Sequence, residues 1–273
     1  MGTSQSSGGP PASGPMIPPW ADAPPAGGGD TPAPPPGTPP EPDAPSPQAQ
    51  PQRWTGVRRN LGDFARNGDG RSLRRAVKHY VRSGYGGAAT ASRRMSSTGS
   101  TANALGNALA GLGAGGFAQT GTLLERSLLT GRSAEEVMDR VVDAVRPVDG
   151  TQDAEASRAA IRDALTDLLT QYQDADLMEL SMDQREFAIE RFVAYDVFQR
   201  FELDVGQHIQ DNAPTVSEGL ARLKEVKDYV RQTVSASFRK LRESGRGLTD
   251  ANVSQAVREA LRDTFEVFEG YME

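Results

Sequence analysis

A chain of 273 residues without cysteine has neither disulfides nor thiolate metal ligands to work with, and its length suits one domain or two small ones. No stretch approaches the roughly 18 consecutive apolar residues of a spanning helix, and no charged segment followed by an apolar run opens it. That sets aside membrane-spanning and signal-directed classes and leaves a cytosolic location as the expectation.

Residues 1–53 hold seventeen of the nineteen prolines and few branched apolar side chains. Burial there gains too little to offset the entropy of ordering, so a long disordered Pro/Gly-rich N-terminal tail is expected. Its tip carries the chemistry. With glycine second, Met1 is the kind of initiator that aminopeptidases remove, which leaves the unhindered α-amine of Gly2. Such an amine titrates near 7.7–8.0, against about 10.4 for a lysine, so a useful fraction is free nucleophile at neutral pH. Thr3, Ser4, Ser6, Ser7, Gly8 and Gly9 keep the end thin enough to enter an active site. Met1-Gly2 with Ser6 also matches the myristoylation pattern, although a composition rich in alanine, arginine, glycine and proline points to a bacterium, where that lipidation is not expected. Farther along, Pro18, Pro19 and Trp20 set one large aromatic in a polyproline stretch, a suitable docking anchor.

The net charge of −6 is sorted along the chain. Four acids and no base precede Arg53, eleven bases face only Asp63 and Asp69 between Arg53 and Met95, and the remainder is strongly acidic. A basic block beside an acidic body has three options: to fold onto that body, to bind an acidic protein, or to bind nucleic acid. The first costs least. The patch is Arg58, Arg59, Arg71, Arg74, Arg75, Lys78 and Arg82, with Phe64, Tyr80 and Tyr85 interleaved. It would give salt-dependent, largely non-specific phosphate binding.

Helical periodicity starts near Trp54. Leu73, Val77, Tyr80 and Val81 recur on one face, and Gly84, Gly86 and Gly87 end that helix. Residues 100–118 favour a helix through their alanines and leucines, and their glycines weaken it by about 1 kcal/mol each. Beyond Ser133 the signals are strong: Ser133 with Glu136, Ser181 with Gln184 and Thr215 with Glu218 fit the capping box. Apolar stripes follow each start, through Val137 to Val145, Ile161 to Tyr172, Phe187 to Ile209, Leu220 to Leu241 and Val253 to Phe268. Alternating runs of period two are missing. The expected fold is all-α, an elongated helical bundle behind the tail, with a basic helical segment at 54–99 and an acidic helical bundle at 100–273 that form one body.

No enzyme site is visible. Gly111-Leu-Gly-Ala-Gly-Gly116 formally matches a dinucleotide fingerprint, but that motif needs a preceding strand and residues 88–110 read as helical. Close helix packing at Ala104, Ala108, Gly111 and Gly115 is the plainer reading, and a membrane-disrupting role for residues 100–118 the remoter one. Asn67-Gly-Asp-Gly70 lacks the carboxylates of a calcium loop and reads as a turn between two basic helices. His79 and His208 have no partner at metal-ligand spacing, so no metal and no cofactor are expected. Asp139, Asp143, Asp163, Asp167, Glu186 and Glu190, with arginines among them, read as solvated helix faces.

Together the Met1-Gly-Thr-Ser start, the Ser7-Gly-Gly-Pro10 run, Pro18-Pro-Trp-Ala-Asp22, the proline-rich spacer and the arginine-rich stretch from Trp54 to Arg94 resemble the QatB family of the Qat anti-phage system. The acidic helical half is similar in type without a sharp motif. The resemblance implies a non-enzymatic defence component with three partners: a QatA-type ATPase, a QatC-type QueC-like enzyme and a QatD-type TatD-like nuclease. It also implies that Gly2 accepts a 7-deazaguanine-type base from the QueC-like enzyme at the expense of ATP. Thr3, Ser4, Ser6, Gly8, Gly9, Pro10, Pro18, Pro19 and Trp20 are then the residues that enzyme would recognise. The alternative is a nucleic-acid-binding adaptor working through the basic patch.

Overall fold

The computed structural model describes residues 53–114, 116–119 and 122–270. The tail residues singled out above, from Gly2 to Trp20, lie outside the described residues, as does Gly115. Helix α1 (Thr55–Asn67) ends at Gly68, whose φ of 67° lets its amide turn back onto the Phe64 carbonyl, a left-handed geometry that favours glycine. Asp69 then caps α2 (Gly70–His79), its carboxylate accepting the amides of Arg71 and Ser72 at 3.1 and 3.2 Å. The Asn67–Gly70 stretch is thus a helix-to-helix turn, as its sequence predicts.

From α2 the chain runs on through a π turn, Tyr80–Tyr85, and stops at Gly86 and Gly87 with φ of 83° and 100°. Gly84, expected to help end the helix, instead lies buried inside the π turn, where the Trp54 ring occupies the space of a β-carbon. Helix α3 (Ala88–Arg94) lacks a side-chain cap of its own, and Glu269, from the far end of the described chain, accepts the Ala88 amide at 2.9 Å.

Helix α4 (Ser96–Gly113) is shorter than the 100–118 pattern predicts. An antiparallel hairpin follows, β1 (Gly116–Gln119) and β2 (Thr122–Glu125), with Phe117 opposite Leu124. Glycines at 111, 113, 115 and 116 make continued helix expensive, and the chain turns to a two-stranded ribbon from Gly116. The fingerprint-like glycines therefore lie at the end of a helix, the reverse of the strand-to-helix turn that binds dinucleotides.

The remaining helices are α5 (Arg126–Leu129), α6 (Ala134–Val145), α7 (Gln152–Gln171), α8 (Met182–Phe201), α9 (Gln207–Asn212), α10 (Val216–Glu243) and α11 (Val253–Glu269), with a second π turn, Glu202–Gly206, joining α8 to α9. Ser133 and Ser181 form complete capping boxes, and Thr215 caps α10 through the Glu218 amide. The fold is all-α with one small hairpin. Helix α8 packs between α7, α10 and α4, and α11 lies on α3, α4 and α10; α1 packs on α9, and α2 on α11. One buried cluster runs from Val57 to Phe268 and includes Phe64, Phe192, Phe238 and Phe265 with no more than 1% exposure. Truncating a phenylalanine so placed costs about 3–5 kcal/mol.

On α4 Ala104 and Ala108 are buried, as close packing predicts, but the tight glycine contacts fall at Gly106 and Gly99 and not at Gly111. A β-carbon on Gly106 would meet Ile189 at 3.3 Å and Val253 at 3.4 Å, and one on Gly99 would meet the Ser254 carbonyl at 3.6 Å. Gly111 is only half-buried.

Candidate functional site

Two features stand out: a bare basic surface on α1 and α2, and a set of acids that are all committed to other helices. On α2 the apolar residues Leu73, Ala76, Val77 and Val81 are buried, which turns Arg71, Arg74, Arg75 and Arg82 outward and leaves Lys78 half-exposed. On α1 Arg58 and Arg59 are exposed too. Among the described residues none of these seven bases makes an ion pair or a side-chain hydrogen bond. The stretch has two acids, and both are engaged: Asp63 with Arg66 at 2.8 Å, and Asp69 with the α2 amides. Those amides, Arg71 first, hold the Asp69 carboxyl below its ordinary range. The expectation that the basic block folds onto the acidic body through its charges is thereby corrected: α1 and α2 dock through apolar side chains, and the charges stay outside.

The acidic faces are corrected in part. Asp139 and Asp143 of α6 reach Arg162 and Arg158 of α7, Asp163 pairs with Lys227 of α10 at 2.7 Å, and Asp167 accepts the Tyr195 hydroxyl of α8. Glu190 is 7% exposed and takes the Ser235 hydroxyl, while Glu186 faces Arg242 at 3.4 Å. Burial pushes the Glu186 carboxyl above its ordinary range, against the pull of Arg242. Asp139 and Asp143 remain half exposed, as a solvated face should be, while also reaching the next helix; Glu186 and Glu190 are instead drawn into the seams between helices.

Sequence reasoning missed two acids. Asp196 of α8 is fully buried and accepts hydroxyls from Thr98 of α4 and Ser157 of α7, both at 2.6 Å, with Arg200 Nε 3.5 Å away. Its signal was available: an acid inside the run Phe192–Phe198, with an arginine one turn on. Asp204, in the second π turn, accepts both Tyr80 and Tyr85 hydroxyls, at 2.8 and 2.9 Å. It thus ties the two π turns together beside Trp54, whose ring lies 5.6 Å from that of Tyr80. Burial drives the Tyr80 hydroxyl well above its ordinary range and Tyr85 to about 12. No sequence pattern pointed to Asp204, because its partners lie over a hundred residues away. Such π turns often mark functional positions, but here the Tyr80 and Tyr85 hydroxyls and the Asp204 carboxylate partner one another.

Of the aromatics interleaved with the bases, Phe64 and Tyr80 are buried, and Tyr85 is half-buried with Arg94 5.8 Å over its ring. His208 contacts the Arg58 carbonyl oxygen at 2.8 Å, and His79 lies under Gly56. Among the described residues no cluster of histidines and carboxylates is arranged to hold a metal ion, and no helix is long and apolar enough to cross a membrane.

A family model described as Qat anti-phage system associated protein QatB matches residues 86–268. Neither the curated proteins nor the solved structures gave a match. The matched span begins at the glycines that end the α2 π turn and covers the acidic helices, so the match is carried by the part of the chain that has no sharp motif, whereas the resemblance in sequence rested mainly on the first twenty-two residues, which lie outside it. With more than half of its length inside that match, the chain belongs to the QatB family, and its role is in anti-phage defence.

Proposed function

We propose that this protein is a substrate, not a catalyst: the amine of Gly2 is presented to a QueC-like enzyme, and the helical body docks partners of the same defence system. Family membership supports the system, and the observation that carries the chemistry is a glycine directly after Met1. In the proposed reaction ATP converts the carboxylate of a 7-deazaguanine-type base to an acyl adenylate with release of pyrophosphate. The neutral Gly2 amine then attacks the acyl carbon, an amide C–N bond forms, the C–O bond to AMP breaks, and the nitrogen loses a proton. Glycine suits this step because no side chain obstructs the approach and because its α-amine is about half free near pH 8. Thr3 to Pro10 would line the enzyme's channel, and Pro18, Pro19 and Trp20 would dock outside it.

The test is intact and N-terminal peptide mass after co-expression with the QueC-like enzyme. An adduct on Gly2 is expected. Gly2→Trp should abolish both adduct and phage resistance with an unchanged helical circular dichroism spectrum. An unmodified N-terminus in an active system would overturn the reading.

A further inference from the structure

We propose that the outward face of the α1–α2 pair binds the phosphodiester backbone of double-helical nucleic acid. This goes beyond the amine chemistry at Gly2 and stands independently of it. Arg71, Arg74, Lys78 and Arg82 follow one another at three- and four-residue steps along α2 and its π turn, with Arg75 beside them, on the side away from the core. Eleven residues at 1.5 Å each span about 16 Å, the rise of about five phosphates along one strand. On α1, Arg58, Arg59 and Arg66 line an open groove of about 400 Å³ with His208 and Asn212. Gly56 abuts His79, which sets Arg58 and Arg59 level with the Lys78 end of the stripe.

Three observations choose the partner. Among the described residues the seven patch bases have no counter-charge, whereas the acidic helices keep most of theirs in pairs; a polyanion is the ligand that relieves such a surface, and the acidic remainder of the protein steers it to this side. The exposed large hydrophobics are Leu128, Val148, Met182, Leu203, Val216, Leu220 and Val267, so none lies on α1 or α2. A protein partner would need an apolar anchor there. Phe64 and Tyr80 are buried, and the half-buried Tyr85 lies under Arg94, 5.8 Å from its ring, with its hydroxyl held by Asp204, so unpaired nucleobases find little to stack on, which favours a backbone-only contact with a duplex over a single strand. Arginine forks suit phosphate oxygens.

The experiment is fluorescence anisotropy of a labelled DNA duplex with the full chain across a potassium chloride series. Binding is expected to be independent of sequence, with log affinity falling against log salt at a slope of about −4, as for four to five phosphate contacts. The triple variant Arg71→Glu/Arg75→Glu/Lys78→Glu should lose at least tenfold in affinity and flatten the slope while keeping its circular dichroism spectrum. Arg58→Glu/Arg59→Glu should show a smaller loss, and Arg239→Glu, on an exposed turn of α10, none. The proposal is overturned if the duplex does not bind at low salt, if the triple variant binds as well as the parent, if polyglutamate competes as well as the duplex, or if a single strand competes better.

Discussion

The α1–α2 pair and the α6–α10 helices handle charge in opposite ways. In the second region carboxylates and bases interlock across helix seams: Arg158 of α7 reaches both Asp143 and the Arg146 carbonyl, at 2.7 and 2.6 Å, and Asp196 draws α4, α7 and α8 together. In the first region the apolar face holds the α1–α2 pair to the body, helped by neutral hydrogen bonds such as His208 to the Arg58 carbonyl, while among the described residues the seven patch bases stay outside those contacts. Charge in the bundle therefore contributes to the fold, and charge on the hairpin is left for something outside it. The family match begins where the hairpin ends, so the shared pattern covers the interlocked helices and leaves out the bare basic face.

That contrast is broken or sharpened by measurement. The largest effect is expected at Asp196→Ala, which leaves two buried hydroxyls without their acceptor and Arg200 with only Asp153 and Ser97; about 3–5 kcal/mol of stability should be lost in urea unfolding. Next is Gly84→Ala, whose new β-carbon would fall 2.5 Å from the Trp54 ring. It should cost about 1–3 kcal/mol and shift tryptophan fluorescence, since the hairpin is held by packing. Arg158→Ala is expected to cost about 1 kcal/mol, discounted because Asp143 is half exposed. A loss at the level of Asp196→Ala would mean that single seam pairs carry more of the bundle than the contrast allows.

A weaker test uses acid. The Ser133 amide holds the Glu136 carboxyl below its ordinary range, the Thr151 hydroxyl and amide do the same for Asp149, and Asp69 is held down by its own helix end. A lowered folded value means stability present above the unfolded value of about 4 and lost as pH falls through the folded one. Glu186 and Glu202, raised by burial, run the other way and favour the fold in acid. The thermal midpoint should fall between pH 5 and 3 because three lowered carboxyls outweigh two raised ones. The smallest effect belongs to Arg74→Gln/Arg75→Gln, within about 0.5 kcal/mol of the parent; a larger loss would show that the hairpin bases do stabilise the fold.

Much of the fold was legible residue by residue. Ser133 with Glu136 and Ser181 with Gln184 announced helix starts because a capping box is local, and Val253 to Phe268 announced a buried face because 3.6-residue periodicity is local too. The hairpin at 116–125 was not legible, since glycines that weaken a helix do not say what replaces it. The same holds for the candidate site: the sequence supplies the seven bases and the two nearby acids, but not that both acids are occupied.

The sequence by itself determined an all-α body and the sorting of charge along the chain, because helix periodicity, capping and composition are properties of neighbouring residues. Only the tertiary structure decided which charges are used up. Asp163 meets Lys227, and Asp204 meets Tyr80, across more than sixty residues, and a partner brought from that distance is set by packing angles and helix offsets that no local pattern encodes.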